Sequence, residues 1–191
     1  VDDDRIATLD KAKQAGKIRA IGVVSHDANQ MVKFVDRYSD TLDYVMIVYN
    51  FHHNIGRPKK GSGMPPNDYS ALIPYCERLN LGILGIKPMG SDDMIAFARE
   101  RGYFERKGPS ISHALLKYVF SNEMIDCAMP AMNSMAELEA NLESAFSPVI
   151  SEEEENLLRT LSRDADSMRA MYLRPQYRWL ESWAGRGNGN G

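Results

Sequence analysis

This chain lacks most features of secreted, membrane or nucleic-acid-binding proteins. Only two cysteines occur in 191 residues, Cys76 and Cys127. Their separation fits no metal or redox motif. Cys76 falls in a helical pattern and Cys127 in a strand, so both are expected to be small buried thiols in a reducing compartment. No apolar run approaches the roughly 20 residues of a membrane helix. Charge of one sign is also scarce, with 23 Lys and Arg against 26 Asp and Glu and a net charge of −3. That balance gives no reason to expect nucleic acid or another polyanion as a partner. Basic residues cluster only at Arg57-Pro-Lys-Lys60, in a Gly/Pro-rich loop that reads as solvated. His26 and His53 lack the ligand spacing of a zinc site. The hydrophobic share of 43% is enough for one sizeable core.

What the chain does have is a repeated rhythm. Four apolar runs each end in a polar or Gly/Pro cluster. Lys17-Ile-Arg-Ala-Ile-Gly-Val-Val24 leads into Ser25-His26-Asp27, and Tyr44-Val-Met-Ile-Val-Tyr49 into Asn50. Leu81-Gly-Ile-Leu-Gly-Ile86 leads into Lys87-Pro-Met-Gly90, and Met124-Ile-Asp-Cys-Ala-Met129 into Pro130. Runs of this kind suit parallel strands buried on both faces. Helical patterns separate them, which makes βα units. In such sheets the chemistry sits beyond the carboxyl ends of the strands.

The helices are legible from spacing and caps. Ile6, Leu9, Ala12 and Lys13 share a helical face before Gly16, a C′ residue. Segments 29–38, 68–79, 91–101, 110–120 and 135–146 follow, with Ser91 as an N-cap. Ser151-Glu-Glu-Glu154 is a capping-box pattern ahead of Leu157, Leu158 and Leu161. The acidic run 152–155 is therefore a solvated helix start rather than a metal site. Arg174-Pro175 breaks that helix, and 176–183 reads as a further short one. Met31, Met46, Met89, Met129 and Met132 are expected to fill core or pocket space. Opening at Val1 inside a helical segment, the chain reads as cut, with any leader out of view.

Four strands fit either a small open sheet or half of an eight-stranded barrel of about 250 residues. The segments themselves resemble the aldo/keto reductase family. Residues 9–26 are similar to the stretch where its fourth helix enters its fifth strand. Tyr44 to Asn50 is similar to its sixth strand, and Gly82 to Gly90 to its seventh. Residues 112–120 resemble the helix before the eighth strand. Met129 to Asn141 resembles that strand and the helix gripping the dinucleotide. The resemblance runs from about residue 8 to 146. It implies an α/β fold that is a partial (β/α)8 TIM barrel, with four parallel βα units plus C-terminal helices. Residues 1–184 would form the carboxyl-terminal part of the barrel, and 185–191 a disordered tail.

The resemblance also implies a function. Family members reduce carbonyls with NADPH or NADH, laid across the carboxyl end of the barrel. Their catalytic tyrosine, lysine, aspartate and histidine come from the first half of the barrel, which this chain lacks. No catalytic residue is therefore assigned here, and Tyr49, Lys87 and His26 inherit no such role.

Cofactor-binding positions carry over with departures. A Ser-Asn or Ser-Ser pair for the nicotinamide amide becomes Val24 and Ser25, leaving Ser25. A glutamine position becomes Met46. The position of a stacking aromatic becomes Ile86, an apolar wall. Lys87, Pro88, Met89 and Gly90 match the loop beside the pyrophosphate, where an ammonium would neutralise phosphate. Ser134 begins the last gripping helix, where it can present a hydroxyl and a backbone N–H to an anion, and Asn141 matches the adenine contact. Glu137 stands where NADPH-preferring members place an arginine, which tilts the expectation toward NADH.

The partners implied are a small-molecule carbonyl substrate and the missing amino-terminal half of the barrel, in a cytoplasmic setting with no membrane. The alternative is a non-catalytic barrel protein that binds a nucleotide or a protein partner. An unrelated lyase or isomerase barrel would rest on fold alone.

Overall fold

The computed structural model describes residues 3–25, 27–51, 69, 71–90 and 92–169. His26, His53, the 57–60 cluster, the Ser91 cap and the segments 176–183 and 185–191 lie outside the described residues. In order, the elements are α1 (Asp3–Gln14), β1 (Gly22–Val24), α2 (Ala28–Tyr38), β2 (Tyr44–Val48), α3 (Leu72–Arg78), β3 (Gly82–Ile86), α4 (Asp92–Glu100), α5 (Ile111–Phe120), β4 (Cys127–Met129), α6 (Met135–Phe146) and α7 (Glu152–Arg169). No helix among the described residues is long and apolar enough to cross a membrane.

The strands form one sheet in the order β1-β2-β3-β4, and every neighbouring pair is parallel. Consecutive βα units lay their strands down side by side in this way. The first and last strands are shorter than their apolar runs. At β1 the cause is visible. The Ile21 amide donates to the Asp43 carboxylate at 2.7 Å, and the Ile21 carbonyl accepts from the Asp43 amide at 2.8 Å. Residues 17–20 are thereby used as a connection, and pairing starts at Gly22. Gly16, at φ 70°, closes α1 in a Schellman motif, with the Lys17 amide donating to Ala12 and the Gly16 amide to Lys13.

Burial on both faces of the sheet, expected from the continuous apolar runs, forms only in part among the described residues: Val48, in line with Met46, is buried, while several of its neighbours are not. Val45, Ile47 and Ile83 are buried under the helices. Gly85 shares that face: a Cβ there would touch Tyr49, Val119 and Ile125. The alternate residues look away from the helices. Val24 is paired with Met46, Met46 with Leu84, and Leu84 with Cys127. Val24 is 54% exposed and Met129 44%. A closed barrel fills this inner face with side chains from opposite strands, and four strands have no opposite. Two expectations fall with it. Cys127 is exposed rather than buried, and Met129 and Met132 stand exposed instead of filling core space. Cys76 is buried as expected, and burial pushes its thiol up to about 11.

Two packed clusters hold the helices. The larger joins Met31, Phe34 and Val35 of α2, Leu72, Ile73 and Cys76 of α3, and the helix-facing strand residues. The second gathers Phe97 and Ala98 of α4, Ile111, Ala114 and Leu115 of α5, and Leu157, Leu158 and Leu161 of α7, around Tyr103. The capping box of α7 forms as its pattern requires. The Ser151 amide donates to Glu154 at 2.8 Å, and the Glu154 amide donates to the Ser151 hydroxyl at 3.2 Å. Glu154 also accepts from Lys117 of α5 at 2.8 Å, in a pair that is nearly buried, so of the acidic run expected to be solvated only Glu152, Glu153 and Glu155 are exposed.

Candidate functional site

The carboxyl ends of the four strands carry the candidate site. Ser25 follows β1 directly and is half-buried. Its hydroxyl accepts from the Asp27 amide at 3.0 Å, and Asp27 in turn caps α2 through the amides of Asn29 and Gln30. The Ser25 oxygen is thus used in a turn, while its O–H proton remains a donor. The Ser25 carbonyl accepts from the Tyr69 hydroxyl at 2.8 Å. Burial raises the phenol of Tyr69 above its ordinary value, so it stays a neutral donor.

At the end of β3 the chain makes a tight turn. The Gly90 amide donates to the Lys87 carbonyl at 2.9 Å, which closes Lys87 to Gly90 into four residues. Pro88 and Gly90 are buried, Met89 is half-buried and Lys87 is exposed. Gly90 has φ 98°, which suits glycine. Lys87 has φ 53°, an uncommon left-handed value for a side chain of its kind. The Lys87 carbonyl takes a second bond, at 3.0 Å, from the Nδ2 amide of Asn50. Asn50 lies just past β2 and is fully buried. Ile86 stands on the open face of the sheet, in register with Val48 and Met129.

Beyond β4, Ser134 caps α6. Its hydroxyl accepts from the Glu137 amide at 3.2 Å, and Glu137 accepts from the Asn133 amide at 2.6 Å. This pairing changes the reading of the helix terminus. Ser134 and the Glu137 amide satisfy one another, and the Glu137 carboxylate already occupies the positive end of α6. An incoming anion meets a carboxylate there. Asn141 lies two turns along the same helix and is half-buried.

The structure therefore brings the Lys87 turn onto Asn50, and places Ser25 and Ser134 at the same carboxyl edge of the sheet. No bond joins Ser134 or Asn141 to the other three positions among the described residues. Asn50 and Tyr69 shape the site without having been singled out by sequence. Asn50 had a signal, a polar residue closing an apolar run; Tyr69 fell within the expected helix 68–79, but that helix begins only at Leu72 and leaves Tyr69 outside it. Among the described residues no group of three His, Cys, Asp or Glu side chains is placed to hold a metal ion.

Residues 2–103 match the model of the aldo/keto reductase family, which is just over half of the chain. The match runs from α1 through α4, so β4 and α6 lie beyond it. No curated protein matches. Solved structures do. The aldo-keto reductase AKR11C1 from Bacillus halodurans matches in its apo form with TM-score 0.56 at 15% identity, over 83% of this chain and 56% of that one. Its holo form matches with TM-score 0.56 at 16% identity, over 83% and 55%. An aldose reductase from Giardia lamblia matches with TM-score 0.54 at 18% identity, over 84% of this chain and 50% of that one. Identities this low speak for the fold alone. This chain spans about half the length of the structures it matches. With four parallel βα units in sequence order and a family match over its first half, the chain belongs to the aldo/keto reductase family.

Proposed function

We propose that this chain is the carboxyl-terminal part of an NAD(P)H-dependent oxidoreductase that reduces aldehydes or ketones. On this reading the chain supplies part of the cofactor site, and the amino-terminal half of the barrel supplies the proton donor and its partners. The observation that carries it is the turn at the end of β3. An exposed ammonium, Lys87, stands beyond the carboxyl edge of a parallel sheet, on a backbone pinned by a buried amide. Its chemistry suits a phosphate oxygen.

The bound dinucleotide would supply the hydride. Ser25 has its hydroxyl proton to offer to the carboxamide. Ile86 offers an apolar wall to the ring. Lys87 neutralises pyrophosphate charge, with Pro88, Met89 and Gly90 forming the floor of that loop. Glu137, at the α6 terminus beside Ser134, disfavours a further phosphate there and so favours NADH over NADPH, with Asn141 left for the adenine. The setting proposed is cytoplasmic.

A second reading is a non-catalytic barrel protein that binds a nucleotide or a protein partner. Val24, Met46 and Ile86 favour it, being apolar where the family offers polar or aromatic contacts to nicotinamide. Titration of the complete barrel with NADH and NADPH, followed by a carbonyl reduction assay, separates the two. Binding with turnover supports the reductase, and binding without turnover supports the alternative. The chain alone is expected to reduce no carbonyl, since general acid catalysis commonly contributes about 10²–10⁴-fold. Turnover by the isolated chain would overturn the division of roles.

A further inference from the structure

We propose that Asn50 is a positioning residue for the cofactor site: it holds Lys87 in a strained backbone conformation that aims the ammonium at the dinucleotide phosphates. The proposal rests on the cofactor reading above.

Three observations converge on the pair. First, Lys87 has φ 53°, where an L side chain crowds the backbone. Its successor Pro88 adds to the cost, since a residue before proline is pushed toward extended values. Nothing in the identity of Lys87 favours this conformation, and glycine would adopt it freely. Such strain persists only where surrounding contacts over-determine it.

Second, those contacts are present and converge on one atom. The Lys87 carbonyl accepts from the Gly90 amide at 2.9 Å and from Asn50 Nδ2 at 3.0 Å. The Gly90 bond belongs to the turn itself. The Asn50 bond comes from a different strand end and ties the turn to β2.

Third, Asn50 is fully buried. A buried amide is costly unless bonded, and one of its bonds goes to this carbonyl. The backbones of β2 and β3 approach here as well, since the Tyr49 amide donates to Ile86 at 3.2 Å. Asn50 therefore continues the ladder by one rung, using a side chain where Lys87 has left strand geometry. Without that rung, Lys87 relaxes toward extended values and its ammonium leaves the phosphate edge.

The test is a double-mutant cycle in the complete barrel, with NADH as probe and dissociation constants taken at low and high salt. Asn50→Ala should raise the dissociation constant roughly tenfold at low salt, the size of one charge-assisted contact. It should also flatten the salt dependence, because the lost contact is ionic. In the Lys87→Ala background the same change should add little, as expected for two groups acting through one contact. Equal weakening in both backgrounds, with the salt dependence intact, would reduce Asn50 to a fold-keeping residue and overturn the proposal. Asn50→Asp, of equal volume but without the donor, replaces the alanine variant if that one fails to fold. Failure of the wild type to bind NADH or NADPH at all would remove the cofactor reading, and this role with it. Tight, salt-sensitive binding that ignores Asn50 would remove the role alone.

Discussion

Lys87 shows how one residue can be legible in type and illegible in conformation. An ammonium at the end of an apolar strand stands out in sequence, because burying it without a partner is costly. Its left-handed backbone does not, since nothing short of the folded turn reveals it. The strain has a measurable consequence. Lys87→Gly should raise stability by up to about 1 kcal/mol by relieving φ 53°, while weakening cofactor binding. Urea unfolding beside NADH titration reads the two effects with opposite sign. Lys87→Ala keeps the strain and should cost about 1–3 kcal/mol of cofactor affinity, shrinking as salt rises. Equal NADH affinity in wild type and variant would take Lys87 out of the site. Gly22 is the other position where a single atom matters. A Cβ there would lie 2.2 Å from the ring of Tyr44, which covers β1 from the open face. Gly22→Ala must displace that ring.

At the scale of elements, α7 depends on a small buried network. Burial pushes the Glu154 carboxyl up, but the Lys117 ammonium and the Ser151 amide and hydroxyl outweigh it and hold it below the usual carboxylate range. A lowered folded value means that Glu154 contributes stability above the ordinary carboxylate range. That contribution is lost as pH falls through the folded value. Asp43 behaves in the same sense, held down by Lys13 and the Ile21 amide, though its greater exposure makes its share smaller. Acid unfolding followed by circular dichroism should therefore show Glu154→Gln losing less stability on acidification than the wild type. Lys117→Ala leaves a buried carboxylate without its cation and should cost about 3–5 kcal/mol, toward the low end because Ser151 still donates. Ser151→Ala removes the cap and should cost about 1 kcal/mol by urea unfolding. These elements were readable beforehand, because a capping box and a leucine stripe are local patterns. The partner Lys117, 37 positions away, was not.

For the whole molecule the open sheet face is decisive. One face is covered by helices; on the other Val24, Cys127 and Met129 are exposed and Met46 and Leu84 half-buried, and no described helix packs across it. The stripe Met135, Leu142 and Phe146 on α6 is exposed as well, at 68%, 45% and 85%. Apolar surface of this extent is expected to associate or to destabilise the chain made alone. Analytical ultracentrifugation should show self-association, and a monodisperse monomer with a sharp thermal transition would contradict that expectation. Cys127 gives a direct readout of closure. Its exposed thiol should react with a maleimide in the isolated chain and be protected once the complementary half covers the inner face. Equal labelling rates in both forms would show that this face stays open. Cys76, buried and with its thiol pushed up to about 11, should stay unreactive in either state and serves as the internal control.

The sequence by itself determined the alternation of strands and helices, the parallel order, most of the helices and the family. All of these follow from local periodicity, caps and the wording of short segments, which neighbouring residues decide among themselves. It also marked Ser25, the Lys87 turn and Ser134 as lying at strand ends, because a run of apolar residues must stop somewhere. The pairing of Ser134 with Glu137 is local as well, since Ser134-Met-Ala-Glu137 has the same spacing as the capping box at Ser151. Tertiary structure alone decided the rest. It decided that part of one sheet face stands exposed among the described residues, because burial depends on what lies across the sheet rather than on the strand. It joined Asn50 to Lys87, residues separated by 37 positions, because a hydrogen bond between two strand ends exists only after the strands have paired.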